Sequence, residues 1–184
     1  DVRIPDSDRL GEVNEGWRGA ITTLMNERAT IGARGLGGFT PETLVRLAME
    51  VDTARGKAIE DSAVRNKIAD FYVKAAGLKY TSYRTLTALS KGAVPGPENS
   101  IGKMVGGPLR QQMAAFGMEL EGMAGALIDP AYDCQQTYLG APGGRIAGGS
   151  DEIMRNIVAE RVLGLPAEPR VDKDVAFNEI PTGR

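Results

Sequence analysis

The chain has 184 residues, 42% of them hydrophobic and 25% charged, with 22 Lys and Arg against 24 Asp and Glu. This is the balance of one globular domain with a sizeable core, and it excludes a disordered or membrane-spanning chain. A formal charge of -2 argues against a nucleic-acid or anionic-lipid partner, because both need an excess of Lys and Arg. With no histidine in the chain, Ser-His-Asp and Cys-His catalysis, His-ligated zinc and Glu-x-x-His di-iron ligand sets are all excluded. No metal is expected, and any proton transfer falls to another group. The single Cys134 forms no internal disulfide, which fits a reducing compartment and makes a cytoplasmic location the expectation. Asp1-Val2-Arg3-Ile4-Pro5-Asp6 has no basic-then-apolar signal pattern, and no apolar run approaches the roughly 18 residues of a membrane span.

Residues 1–14 hold Pro5, Gly11 and several acids without periodicity, and read as an extended lead-in, the last strand of a preceding unit. From Glu15, Trp17, Ala20, Ile21, Leu24, Met25 and Ile31 recur at steps of three and four, predicting a helix to Arg34 with Asn14 as its N-cap. Gly35-Leu36-Gly37-Gly38 ends it. Thr40-Pro41-Glu42 combines a capping residue, a proline at the first helical position and an acid in the first turn. It opens a short helix with Leu44, Leu47, Ala48 and Val51 on one face. After a polar stretch, Asp61 or Ser62 caps a long helix carrying Val64, Ile68, Phe71, Ala75, Leu78 and Leu89, stopped at Gly92.

Past Pro95-Gly96-Pro97, a second long segment places Ile101, Val105, Leu109, Phe116, Leu120, Met123 and Leu127 on one face. A kink is expected at Gly106-Gly107-Pro108, and an end at Asp129-Pro130. A short helix is predicted over 131–139, a glycine-rich loop over 141–149, and a last helix from Asp151 to Leu163 behind Ser150, stopped by Gly164 and Pro166. With 24 glycines in a helical chain, breaks, close helix contacts or an approach of backbone to a ligand are expected. The sum is an all-α chain, an antiparallel four-helix bundle with additional short helices over 15–165 and a polar tail over 166–184.

Two features could carry chemistry. Glu27 shares a helix turn with Leu24 and Ile31, and a carboxylate bordering apolar surface is a stronger base; an ordinary ion-paired surface acid is the plainer alternative. Gly148-Gly149-Ser150-Asp151-Glu152 runs from the glycine-rich stretch into a helix start, where free backbone N–H groups can hold an anion. Asp151 and Glu152 oppose that unless they point away, and a bare capping loop is the plainer account of the pattern. Met104, Met113, Met118 and Met123 read as core filling, and Arg155 and Arg161 as solvated or ion-paired surface groups.

The order of motifs resembles the C-terminal half of the acyl-CoA dehydrogenase family. It comprises Leu10-Gly11-Glu12-Val13-Asn14-Glu15-Gly16-Trp17, Asn26-Glu27-Arg28, Gly148-Gly149-Ser150-Asp151-Glu152-Ile153-Met154-Arg155-Asn156 and Ala159-Glu160-Arg161-Val162-Leu163-Gly164-Leu165-Pro166. The resemblance covers nearly the whole chain. It implies a flavoenzyme of about twice this length, with an N-terminal helical domain, a middle β-domain and a C-terminal bundle, that uses FAD to convert an acyl-CoA to its trans-2-enoyl form. Residues 1–14 would then close the β-domain, and the 184-residue piece alone is expected to be inactive. Implied partners are an electron-transfer flavoprotein and further subunits, as a homo-oligomer or with a second dehydrogenase chain.

In many members the catalytic base immediately precedes the Gly-Thr of the last motif, which falls here on Gly148; in others it lies on the first bundle helix, matching Glu27. The resemblance therefore assigns Glu27 as base, Arg28 to substrate binding, and Gly149, Ser150 and Glu152 to the flavin nucleotide. Two motifs depart from the family. Arg55-Gly56-Lys57-Ala58 stands where an Arg-x-x-Phe-Gly segment is expected, and Gln136-Thr137-Tyr138-Leu139-Gly140 only begins a Gln-x-x-Gly-Gly-x-Gly loop. These departures keep open a second reading, a noncatalytic structural or oligomerisation subunit of a heteromeric acyl-CoA dehydrogenase complex.

Overall fold

Six α-helices carry most of the described chain: α1 (Gly16–Arg34), α2 (Pro41–Glu50), α3 (Ser62–Ser90), α4 (Asn99–Glu121), α5 (Cys134–Ile146) and α6 (Asp151–Ile157). The computed structural model describes residues 1–34, 38–93, 96–128, 131–172 and 175–181, with the side chains of Met25, residues 28–34 and Phe177 outside the described set. Helix α4 is the hub of the antiparallel bundle: α1, α2, α3, α5 and α6 all pack on it.

Helix α2 begins where the sequence places it. Pro41 occupies the first turn, and the Thr40 N–H donates to Thr43 Oγ1 at 3.5 Å. Its Leu44, Leu47 and Ala48 are buried together with Phe39, Ile68, Phe71, Leu109, Met113 and Cys134, which form the core. Phe71 meets Phe116 edge-on, with ring centroids 5.8 Å apart. Helix α3 is capped by Asp61, whose Oδ1 accepts the Ala63 N–H at 2.7 Å. Its end closes when the Gly92 N–H donates to the Leu89 carbonyl at 2.9 Å and the Ala93 N–H to that of Ala88 at 3.1 Å. Gly92 holds φ 81°, a conformation that glycine adopts without a Cβ penalty.

Several expectations are corrected. The lead-in forms a 3-10 turn at Asp6–Asp8 instead of a strand. The strands of the described residues are β1 (Asp52–Thr53) and β2 (Gly56–Lys57), an antiparallel pair with Asp52 opposite Lys57. Two residues per strand are too few for an alternation to register in the sequence. Asn14 does not cap α1: it has φ 71°, and the first helical bond runs from the Gly19 N–H to the Glu15 carbonyl. The segment expected to reach Asp129-Pro130 stops as helix α4 at Glu121, with Pro108 inside it; Gly122 takes φ 61° and a 3-10 turn follows over Gly122–Ala126. Met113 is fully buried as core filling, whereas Met123 is exposed. The ends expected at Gly35-Leu36-Gly37 and Asp129-Pro130 lie outside the described residues.

The largest correction is the glycine-rich stretch. Helix α5 extends through Ala141-Pro142-Gly143-Gly144-Arg145 to Ile146, and only 147–149 remain as a connection. Packing against α4 overrides the poor helix propensity of these residues. The two helices approach so closely that a Cβ on Gly107 would lie 3.1 Å from Arg145 Cγ, and Ala141 and Thr137 are buried. The last helix also changes character. After Ile157 it widens into a π-turn over Val158–Val162, with the Leu163 N–H donating to the Val158 carbonyl at 3.0 Å. Among the described residues, no helix is long and apolar enough to cross a membrane.

Candidate functional site

The connection between α5 and α6 reverses the chain within a few residues, with Gly148 at φ 69° and Gly149 at φ 111°. Ser150 follows as the N-cap of α6, its Oγ accepting the Ile153 N–H at 3.5 Å. The two acids of the first turn separate. Asp151 turns inward and is almost fully buried, while Glu152 stays exposed. Inside, Arg145 of α5 donates from Nε to Asp151 Oδ2 at 2.7 Å and from Nη1 to Gln111 Oε1 of α4 at 2.8 Å. Lys103 of α4, only 3% exposed, donates from Nζ to the Arg145 carbonyl at 3.4 Å and also to the Gly149 carbonyl.

Glu152 is held ionised. Its own backbone N–H and the Ser150 hydroxyl keep its carboxyl below the usual carboxylate range, with smaller help from Arg155 and Arg145; Arg155 Nη1 lies 3.7 Å from Oε1. Gly149 and Ser150 are half-buried, so 149–152 presents an open polar turn. The Glu152 carboxylate at the open side of that turn disfavours a phosphate directly above it.

Glu27 lies on α1 and is half-buried. Helices α1 and α6 both pack on α4. Gly149, Ser150 and Glu152 are brought together in one turn, and Glu27 stands on a separate helix. Arg28 belongs to α1, and its side chain lies outside the described set. Arg55-Gly56-Lys57-Ala58 runs from the turn of the β1-β2 hairpin through β2 to the start of a 3-10 turn, with Gly56 at φ 112° and Lys57 Nζ 2.7 Å from Asp52 Oδ1. No cluster of three or more acidic or cysteine side chains suited to a metal is present among the described residues.

Sequence reasoning gave no role to Lys103, Gln111 and Arg145. A signal for Lys103 was present: it occupies the register of Ser100, Gly106, Leu109 and Met113, the buried stripe of α4. A charged residue on a core stripe is unusual enough to mark a polar partner.

A helical bundle whose last helix opens on a Gly-Gly-Ser-Asp-Glu turn defines a recognisable class. Residues 14–163 match the model of the acyl-CoA dehydrogenase C-terminal domain, and the chain belongs to the acyl-CoA dehydrogenase family. It is 32% identical over 168 residues to acyl-CoA dehydrogenase FadE34 of Mycobacterium tuberculosis, covering 90% of this chain and 22% of that protein. To acyl-CoA dehydrogenase IpdE1 of Mycolicibacterium smegmatis it is 31% identical over 172 residues, covering 91% and 41%. Among solved structures, the ChsE4-ChsE5 complex from Mycobacterium tuberculosis matches with a TM-score of 0.71 at 25% identity, covering 92% of this chain and 45% of that one. The chain thus spans less than half the length of these relatives.

Proposed function

We propose that this chain is the C-terminal bundle domain of an FAD-dependent acyl-CoA dehydrogenase that forms the trans-2-enoyl-CoA from an acyl-CoA thioester. The observation that carries the reading is Glu27, half-buried on α1, together with Gly148 at the alternative position of the base; α1 as a helix packs on α4, as does α6 behind the 149–152 turn. When bound, the flavin supplies the acceptor for the hydride that leaves the β-carbon. Glu27 takes the α-proton: the Cα–H bond breaks towards its carboxylate oxygen, and the released pair becomes the new Cα–Cβ π-bond. Gly149, Ser150 and Glu152 would hold part of the nucleotide, and Arg28 would face the substrate. An electron-transfer flavoprotein is the proposed electron acceptor. A homo-oligomer or a second dehydrogenase subunit supplies further contacts, and the compartment proposed is the cytoplasm.

A second reading, a noncatalytic structural subunit of a heteromeric dehydrogenase, is favoured by one observation. Ala58, buried at the end of the hairpin, stands where the family pattern Arg-x-x-Phe-Gly expects phenylalanine. The visible spectrum of the intact gene product separates the two. A flavin band that bleaches on titration with acyl-CoAs in wild type, and loses about 10²- to 10⁴-fold in bleaching rate in Glu27→Gln, supports the enzyme with Glu27 as base. Absence of bound flavin leaves the structural subunit.

A further inference from the structure

Lys103 is buried on the core stripe of α4, where a methionine of similar length would fill the space without the cost of taking an ammonium out of water. What the ammonium does there is specific. The Arg145 carbonyl belongs to the last turn of α5, one of the acceptors that a helix end leaves without an intrahelical donor, and Lys103 Nζ reaches it at 3.4 Å. The same Nζ also donates to the carbonyl of Gly149, the residue just before Ser150. One cation from α4 thus joins the end of α5 to the last residue of the connection, across the left-handed Gly148 and Gly149.

Arg145 completes the arrangement from the other side. Its main chain is held by Lys103, and its side chain holds Asp151 at the start of α6 and Gln111 of α4. The positive groups lie at the negative end of α5 and the acid at the positive end of α6, so each charge also complements a helix dipole.

We infer that Lys103 is a positioning residue: acting through the Arg145 and Gly149 carbonyls, it fixes the backbone of 147–150 that presents Gly149 and Ser150 to the flavin nucleotide. This rests on the proposed flavin reading for its consequence, and on the hydrogen bonds alone for the fixing itself. The two parts are therefore tested by different readouts.

The experiment compares Lys103→Met, Lys103→Gln and Lys103→Arg with wild type in the full-length protein, using amide hydrogen exchange and FAD titration. The Ala147 and Gly149 N–H groups of the connection donate back to the Gly143 and Ile146 carbonyls in the last turn of α5, so their exchange reports how firmly the connection is held to it. Lys103→Met is expected to speed exchange about tenfold or more at these amides while the α3 amides around Phe71 keep wild-type protection; Lys103→Arg, which retains a charged donor, recovers most of the protection. FAD dissociation constants should rise about tenfold or more in Lys103→Met and follow the same order across the series. Equal acceleration at all amides, or unchanged exchange at Ala147 and Gly149, overturns the inference. If Lys103→Met does not fold, Lys103→Gln carries the same comparison. A wild type that binds no FAD removes the flavin reading, and the exchange result still decides the fixing role. Local exchange with unchanged FAD affinity refutes the presentation of the nucleotide.

Discussion

Arg145 donates to a single oxygen of Asp151: Nε lies 2.7 Å and Nη2 2.5 Å from Oδ2, while Oδ1 is buried without a hydrogen-bond partner among the described residues. The pair therefore lacks the two-oxygen fork that gives Arg-carboxylate contacts their full strength. Its value lies in joining α5 to α6 over a connection of a few residues.

Removing the acid should cost less than a fully buried ion pair would suggest, because the Arg145 side chain remains 37% exposed and can be hydrated. Asp151→Ala is expected to destabilise the protein by about 1–3 kcal/mol, part from the lost charge pair and part from the lost acid at the start of α6. Urea unfolding of wild type and variant measures this. A change within experimental error would show that solvation of Arg145 compensates completely.

The contact between α4 and the start of α5 is set by a glycine. A Cβ on Gly117 would lie 2.5 Å from Cys134 Sγ and 3.3 Å from Leu44 Cδ2. Gly117→Ala should therefore destabilise by about 1–3 kcal/mol through overpacking, despite the better helix propensity of alanine. Cys134→Ala removes the sulfur atom and leaves a cavity at a fully buried site. The double variant should be more stable than the sum of the two single effects predicts, by about 0.5–2 kcal/mol, and a thermal or denaturant double-mutant cycle reads this coupling.

At the start of α2, the Thr40 side chain and the backbone N–H of Glu42 itself hold the Glu42 carboxyl below the ordinary glutamate value of 4.5. A depressed native value contributes stability above 4.5 that is lost as the pH falls through the native value. Glu42 is solvent-facing, so after screening the effect is about a few tenths of a kcal/mol. The stability difference between wild type and Glu42→Gln should be present at neutral pH and vanish as the pH falls through the lowered native value. A difference that persists in acid would point to packing of the side chain instead of its charge.

Helix α2 and the start of α3 were legible because their signals are local. A capping residue, a proline at the first turn and a three-to-four apolar spacing act within a few residues of one another. The Gly92 stop was legible for the same reason. The 141–149 stretch was not: its glycines and proline describe a loop by every local rule, and its first part becomes helix in packing along α4, where Gly107 makes room for the Arg145 side chain. Asn14 failed as a cap because the backbone turns one residue later than the side-chain chemistry suggests. Glu27, Gly149, Ser150 and Glu152 were reached through the order of motifs, since position on a helix does not distinguish a surface acid from a base.

The sequence by itself determined an all-helical chain, the main helix starts, the exclusion of histidine chemistry and the family whose motifs it carries. Each of these is written in residues close together along the chain or in composition. Only the tertiary structure decided that Asp151 turns inward to Arg145, that Lys103 spends its charge on main-chain carbonyls, and that α4 is the common support of α1 and α6. Those are contacts between residues as far apart as Lys103 and Gly149, and they exist because burying the apolar stripe of α4 forces the polar groups within it to find partners on whichever helices cover it.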